Sequence, residues 1–263
     1  MNPIILITGT GKGIGKSLAE KFLKKGFTVF GYSRENKIKH KNFTFIKINL
    51  NDLKLVQKLR FPTTENEIIL INNAATIGYI APLNKKNNDD IINEYNLNLI
   101  TPSLLSCSLI KHYPKNKKLI INISSGAAQN PIASWSTYCA AKSGLDMFTS
   151  VIAKEKHDNL KILAIHPGII DTNMQKEIRK TKLSNFPMLD KFIDYYKQNK
   201  LENPDDIEDS MLVAIVQACI EDDELSSQEF KSKEDFPFYV DVCVQDFIKM
   251  RPYRSYKQYA YCL

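Results

Sequence analysis

Long apolar runs are missing from this chain of 263 residues: no stretch approaches the roughly 18 uninterrupted apolar residues that a membrane helix needs. A membrane partner is therefore not expected. Glycine and proline are sparse, 10 and 11 residues without a repeat, which excludes collagen-like and low-complexity classes. The five cysteines (Cys107, Cys139, Cys219, Cys243, Cys262) are odd in number, widely spaced and without a CxxC pair. They read as reduced thiols rather than a disulfide frame or a zinc site. His40, His112, His157 and His166 are equally scattered, so no metal is expected. The chain runs from Met1-Asn2-Pro3 directly into Ile4-Ile5-Leu6-Ile7, without the basic start, long apolar core and cleavage site of a secretory signal, and a cytoplasmic location is expected.

What is present is an ordinary globular composition, with 43% apolar residues, enough for a sizeable core. The 36 Lys and Arg against 29 Asp and Glu give a formal charge of +7, which suits either nucleic acid or a phosphorylated small ligand. The distribution speaks against nucleic acid: lysines alternate with Asn and Ile, and an acidic stretch at 205–224 interrupts them. The tail 244–263 interleaves Tyr253, Tyr256, Tyr259 and Tyr261 with Lys249, Arg251, Arg254 and Lys257. It could stack on nucleic acid, but it reads better as an arm packed on its own or a neighbouring subunit.

Short apolar, β-branched runs recur at 4–8, 28–32, 43–48, 68–72, 119–124, 162–166 and 238–242, with helix-length segments between them. They are apolar on both faces, as in parallel strands covered on each side, so the expected fold is α/β: one domain with a doubly wound parallel sheet of seven strands between helix layers. Helices are expected at 13–25, 89–113 and 135–157. The segment 171–201 mixes polar and aromatic residues without a clean period and reads as an insertion covering the substrate. The catalytic domain is thus expected to span 1–243.

Immediately after the first strand stands Gly9-Thr10-Gly11-Lys12-Gly13-Ile14-Gly15, opening straight into a helix. Glycines there let the chain turn sharply and bring backbone N–H groups close to a pyrophosphate, and the helix N-terminus adds a partial positive charge. In dinucleotide folds an acidic residue at the end of the second strand commonly holds the ribose 2′-OH and selects NAD. Here the strand ends Gly31-Tyr32-Ser33-Arg34, with no carboxylate before Glu35. Arg34, Ser33 and Lys12 suit a 2′-phosphate, which favours NADP(H) as cofactor, unless Arg34 and Lys12 are solvated surface cations.

Further along come Asn72-Asn73-Ala74-Ala75, Asn98, Ser124-Ser125 and Tyr138-Cys139-Ala140-Ala141-Lys142. Tyr138 and Lys142, four apart on a helix, share a face. An ammonium beside a phenol favours the phenolate, so the tyrosine is expected to fall from near 10 toward about 7, where it serves as a general acid or base. Ser125, ahead of it, could polarise a carbonyl; Ser124 is the weaker candidate.

In this order the TGxxxGIG, NNAA, Ser and YxxxK elements resemble the short-chain dehydrogenase/reductase family over nearly the whole chain, from Ile4 to about Asp241. The resemblance implies a Rossmann-type three-layer fold and an NADPH-dependent carbonyl reductase assembled as a homodimer or homotetramer. It implies Asn98, Ser125, Tyr138 and Lys142 as the catalytic set, with Asn98 ordering a relay water and Lys142 holding the nicotinamide ribose. Asn73, Ala74, Ala75, Asn49, Leu50, Pro167, Gly168, Ile170, Thr172 and Met174 would contact the cofactor. Asn49 departs from the aspartate that many relatives carry there.

Within the family the chain is similar to the sepiapterin and benzil reductases, through Trp135, Tyr138-Cys139, the run Pro167 to Gln175, and Tyr239-Val240-Asp241. That likeness implies a pterin side-chain ketone or a small diketone as substrate, contacted by Trp135, Asp171 and Asp241 besides Ser125 and Tyr138. Trp135 reads equally as core or pocket wall, and Asp241 as an anchor for a pterin or a partner of an internal cation. A β-ketoacyl thioester reductase shares every catalytic residue, and a non-catalytic NADP(H) sensor or scaffold is the alternative of another class. The seam of a dimer is expected on the helices 89–113 and 135–157, with Leu105, Leu109, Phe148 and Ile152 serving either that seam or the sheet.

Overall fold

β1 (Ile4–Thr8) is flanked on one side by β2 (Thr28–Ser33) and on the other by β4 (Ile68–Asn72), so the chain crosses back over the sheet between its third and fourth strands. With β3 (Phe43–Lys47), β5 (Lys118–Ile123) and β6 (Leu160–Ile165) the order is β3-β2-β1-β4-β5-β6, and every pairing is parallel. The computed structural model describes residues 2–155 and 157–201. Six of the seven expected strands are formed; the run at 238–242, Asp241 and the tail 244–263 lie outside the described residues.

The strands are buried on both faces because their alternate residues feed two cores. Ile5, Ile7, Ile69, Ile71, Ile121 and Leu163 meet Leu18, Ala19, Phe22 and Leu23 of α1 (Gly13–Lys24). Leu6, Leu70, Ile120 and Ile162 meet Val56 of α2 (Leu53–Lys58) and Leu105 and Leu109 of α4 (Thr101–His112) on the other face. This period-2 alternation between two covered faces is what a doubly wound sheet demands.

α1 stops where the sequence says it should. Gly26, at φ +86°, donates to Leu23 O, and Phe27 N–H reaches back to Phe22 O, while the Phe22 and Phe27 rings meet edge to face at 5.5 Å. These bonds satisfy the carbonyls that a helix end leaves unpaired.

The helix expected over 89–113 is broken into three pieces: α3 (Asn88–Tyr95), a π turn over Asn96–Ile100, and α4. Pro102 has no N–H to give the carbonyl of Asn98 four residues back, and Thr101 N–H reaches instead to Asn96 O, five residues back. α5 (Ser136–Lys154) matches the expected 135–157 closely. Within 171–201 lie α6 (Asn173–Arg179) and α7 (Leu189–Lys197), too short to show a period and docked through Ile178, Leu189 and Phe192.

Leu105 and Leu109 belong to the core under the sheet, so neither is available to a seam between subunits. The exposed large apolar residues on α5 are Met147 and Val151 instead.

Candidate functional site

The reversal of strand order between β1 and β4 opens a crevice at the carboxyl ends of the strands, where ligands of such sheets bind. The glycine turn lines it. Gly9 and Gly13 hold φ of +80° and +57°, conformations that other residues rarely adopt. A Cβ on Gly15 would stand 2.3 Å from Asn73 Nδ2 and 2.5 Å from Gly9 O, so the position admits no side chain. Asn73 Nδ2 donates to Thr8 O at 2.9 Å, and the Asn73 and Ala74 N–H groups both donate to Thr8 Oγ1. The NNAA stretch after β4 thereby braces the turn after β1.

α1 begins beyond Lys12 with no side-chain cap and no acidic residue in its first turn, which leaves its leading N–H groups to an anion. The Thr172 methyl lies 3.6 Å from where a Cβ of Gly13 would stand, so the segment after β6 reaches the same turn. A shaped backbone cradle facing an uncapped helix start fits the pyrophosphate of a dinucleotide.

At the end of β2, Ser33 Oγ donates to Glu35 O at 2.6 Å and lies 3.2 Å from Thr10 Oγ1, fastening strand to turn. A Cβ on Gly11 would stand 3.0 Å from Glu35 O, so the turn carrying Lys12 abuts the strand end carrying Arg34. Both cations are exposed, and among the described residues Arg34 forms no ion pair. Two solvated cations on adjoining segments at this end fit a 2′-phosphate. Asn49 Oδ1 accepts from Asn51 N–H, while Leu50 is buried in the core with its carbonyl held by Thr101 Oγ1. Ile14 packs against the core from the turn.

Ser125, Tyr138 and Lys142 come together where β5 ends against α5. The Ser125 hydroxyl lies close enough to the Tyr138 phenol to favour its ionised form, and it accepts from Ala127 N–H. Lys142 Nζ donates to Ile123 O at 2.7 Å and lies 5.9 Å from the Tyr138 ring centre. Burial pushes the phenol up to about 12, against the nearby Ser125 hydroxyl, with Cys139 adding a smaller upward contribution. This reverses the expected shift toward neutrality. An ammonium committed to a carbonyl does not offset the desolvation of a phenolate. Burial also lowers Lys142 to about 8, opposed by Asp146. The neighbouring Ser124 Oγ is buried without a hydrogen-bond partner.

Asn98 stands in the π turn, fully buried, and its side chain grips the backbone of Thr76 at both ends: Oδ1 accepts from Thr76 N–H at 2.9 Å and Nδ2 donates to Thr76 O at 2.8 Å. It therefore fixes the loop after β4 next to α5, which packs on the π turn.

Trp135 closes the site with an aromatic wall. Its ring stacks on Phe186 at 5.4 Å and 12°, meets Tyr138 edge to face at 5.7 Å, and touches Phe192 of α7. Ile77, Ile80 and Ile178 complete the cluster, with Met174 and Cys139 at its margin. Of the two readings the sequence left open, the packing shows Trp135 in the core. Asp171 is drawn aside into an ion pair with Arg179 at 3.4 Å.

Two groups escaped the sequence reading. Asp146, four residues beyond Lys142, accepts from His166 Nε2 at 2.9 Å, tying α5 to the residue before Pro167-Gly168. The helical spacing from Lys142 was the signal. The second is a buried ion pair between Lys86 and Glu94, for which spacing gave none.

Residues 3–183 match the family model described as short chain dehydrogenase. The benzil reductase ((S)-benzoin forming) of Bacillus cereus is 35% identical over 222 residues, covering 76% of this chain and 89% of that protein. The sepiapterin reductase of Rattus norvegicus is 34% identical over 136 residues, 50% of this chain and 52% of its own length. Among solved structures, a short-chain dehydrogenase/reductase from Saccharomyces cerevisiae aligns with a TM-score of 0.70 at 23% identity, over 78% of this chain and 86% of that one, a likeness of fold.

Proposed function

The chain belongs to the short-chain dehydrogenase family of oxidoreductases, and on that premise we propose that it is an NADPH-dependent carbonyl reductase whose best-supported substrates are small vicinal diketones. The observation that carries this reading is the half-buried Ser125 beside the buried Tyr138 and Lys142, packed against the aromatic rings of Trp135 and Phe186, at the carboxyl end of the sheet that bears the glycine cradle.

The glycine turn from Gly9 to Gly15 and the start of α1 would hold the pyrophosphate, with Lys12 and Arg34 on the 2′-phosphate. Asn49 and Leu50 would lie at the adenine end. Asn73, Ala74, Ala75, Pro167, Gly168, Ile170, Thr172 and Met174 would line the remainder, and Lys142 the nicotinamide ribose. When bound, the reduced nicotinamide supplies the hydride that the carbonyl carbon accepts. Tyr138, kept protonated by its burial, donates its hydroxyl proton to the carbonyl oxygen as that oxygen gains charge. Ser125 donates a hydrogen bond to the same oxygen and so polarises the bond beforehand. Lys142, held on the Ile123 carbonyl, would offset part of the charge left on the phenolate, and Asn98, which grips the Thr76 backbone, would order the water through which Tyr138 regains a proton.

The apolar wall favours an aryl or alkyl diketone over a pterin, whose ring edge asks for polar partners. Asp171 is occupied by Arg179, and Asp241, the other carboxylate that would anchor a pterin, is outside the described residues. The extent to 243 with a cover at 171–201, a cytoplasmic location and assembly as a homodimer or homotetramer belong to the same proposal. The exposed Met147 and Val151 of α5 support a helix seam.

The test is NADPH oxidation measured with benzil, sepiapterin and a β-ketoacyl thioester in parallel. Turnover of benzil is expected. Reduction of sepiapterin alone, lost on Asp241→Asn, replaces the diketone reading with the pterin one. Reduction of the thioester alone makes it a ketoacyl reductase, and NADPH binding without any turnover makes it a sensor.

A further inference from the structure

Lys86 and Glu94 are each about 1% exposed, and their ion pair lies beside the catalytic tyrosine without taking part in the chemistry above. Lys86 Nζ donates to both Glu94 oxygens, at 2.7 and 2.8 Å, and to Thr137 Oγ1 at 2.7 Å, which uses all three ammonium hydrogens. The Thr137 hydroxyl in turn donates to Glu94 Oε2, and Tyr79 N–H donates to Glu94 Oε1 at 3.2 Å. The network closes on itself. Its members come from three separate places: Glu94 from the last turn of α3, Lys86 and Tyr79 from the segment between β4 and α3, and Thr137 from the first turn of α5, directly before Tyr138.

A buried ion pair of this kind adds little net stability, because the desolvation of both charges offsets their attraction, and apolar residues of similar volume often do as well. What it does supply is a fixed geometry. Gly78 follows the loop at φ +66°, and a Cβ there would stand 2.0 Å from Glu94 Oε1, so the loop backbone rides directly on the carboxylate. Ile77 and Ile80, on either side, pack in the cluster of Trp135 and Tyr138. Glu94 and Asn98, four residues apart, thus grip one loop at two points, Tyr79 and Thr76.

We propose that Lys86 and Glu94 are positioning residues for the reductase reaction: through Thr137 they set the first turn of α5, and hence the Tyr138 hydroxyl, while through Tyr79 they set the loop that walls the substrate pocket. This rests on the reading of Tyr138 as the proton donor. Displacement of a reacting group by about 1 Å is enough to lower a rate on the order of a hundredfold.

The experiment compares Thr137→Val, which removes the hydroxyl link at nearly constant volume, with Thr137→Ser, which restores it, and with the double variant Lys86→Met, Glu94→Leu. Thr137→Val and the double variant should lower kcat on benzil at least about tenfold with the NADPH dissociation constant within about twofold of the parent, whereas Thr137→Ser should keep the parental kcat. A readout that needs no turnover is the ζ-13C tyrosine signal that vanishes in Tyr138→Phe; it should shift or split in Thr137→Val and return in Thr137→Ser. A folded Thr137→Val protein with parental kcat and an unmoved signal overturns the proposal, and so does a folded double variant with parental kcat. If the double variant fails to fold, the Val and Ser pair decides. A parent protein that reduces no carbonyl defeats the functional reading instead, and the tyrosine signal then decides on the clamp alone.

Discussion

Lys142 Nζ is held 2.7 Å from the carbonyl of Ile123, so an ammonium on α5 is fastened to the final residue of β5 inside a buried site. Burial lowers that ammonium to about 8 and raises the neighbouring Tyr138 to about 12. The charged amine exists below its value and is lost above it, whereas the phenol keeps its proton throughout the working range. Reduction should therefore fade with an alkaline limb near pH 8, with kcat/KM about tenfold lower at pH 9 than at pH 7, as one proton on one group dictates. A pH–rate profile checks this; a plateau extending beyond pH 10 would detach the activity from Lys142.

Tyr138→Phe removes the proton donor and keeps the ring that meets Trp135 edge to face. Turnover should fall by a factor of about 10² to 10⁴, while NADPH binding followed by fluorescence stays within about twofold. More than about a tenth of the parental kcat would rule out the general-acid role.

Arg34→Ala tests the adenosine end. Loss of a charge-assisted hydrogen bond of about 1.5 to 3 kcal/mol should raise KM for NADPH about ten- to a hundredfold and leave that for NADH little changed. Equal losses with both coenzymes would place Arg34 away from the 2′-phosphate.

Gly15→Ala sets a methyl 2.3 Å from Asn73 Nδ2 and 2.5 Å from a backbone oxygen that cannot yield without moving the turn. Overpacking of this sort costs about 1 to 3 kcal/mol, so melting should drop by several degrees and NADPH affinity by at least about tenfold. Calorimetry with and without NADPH separates the two; an unchanged affinity would mean that the turn does not cradle the cofactor.

The strands were legible because each is an apolar run long enough to be buried on both faces, and the glycine turn because its chemistry is local. The break in the helix over 88–112 was harder to read: the apolar period continues through it, and only Pro102, by withholding one N–H, marks where the ladder widens. The direction of the Tyr138 shift was misread because spacing shows a lysine four residues away but not the burial that outweighs it. Leu105 and Leu109 carried the same ambiguity, since periodicity gives a face and not what covers it. Glu94 was invisible as a site for a plainer reason: its partners, Lys86, Tyr79 and Thr137, are brought to it only by the tertiary fold.

The bracing of the glycine turn by Asn73 bears on synthesis as well as on binding. The bond from Asn73 Nδ2 to Thr8 O joins residues 65 apart in the chain, and β1 pairs with β4 rather than with anything closer on that side. A nascent chain that has released β1, α1 and β2 already carries every glycine of the turn and its bonds to the end of β2, yet still lacks the Asn73 brace. The turn is fully braced only after β4 has left the ribosome and slotted in beside β1, so the gain of full nucleotide affinity should report that long-range step.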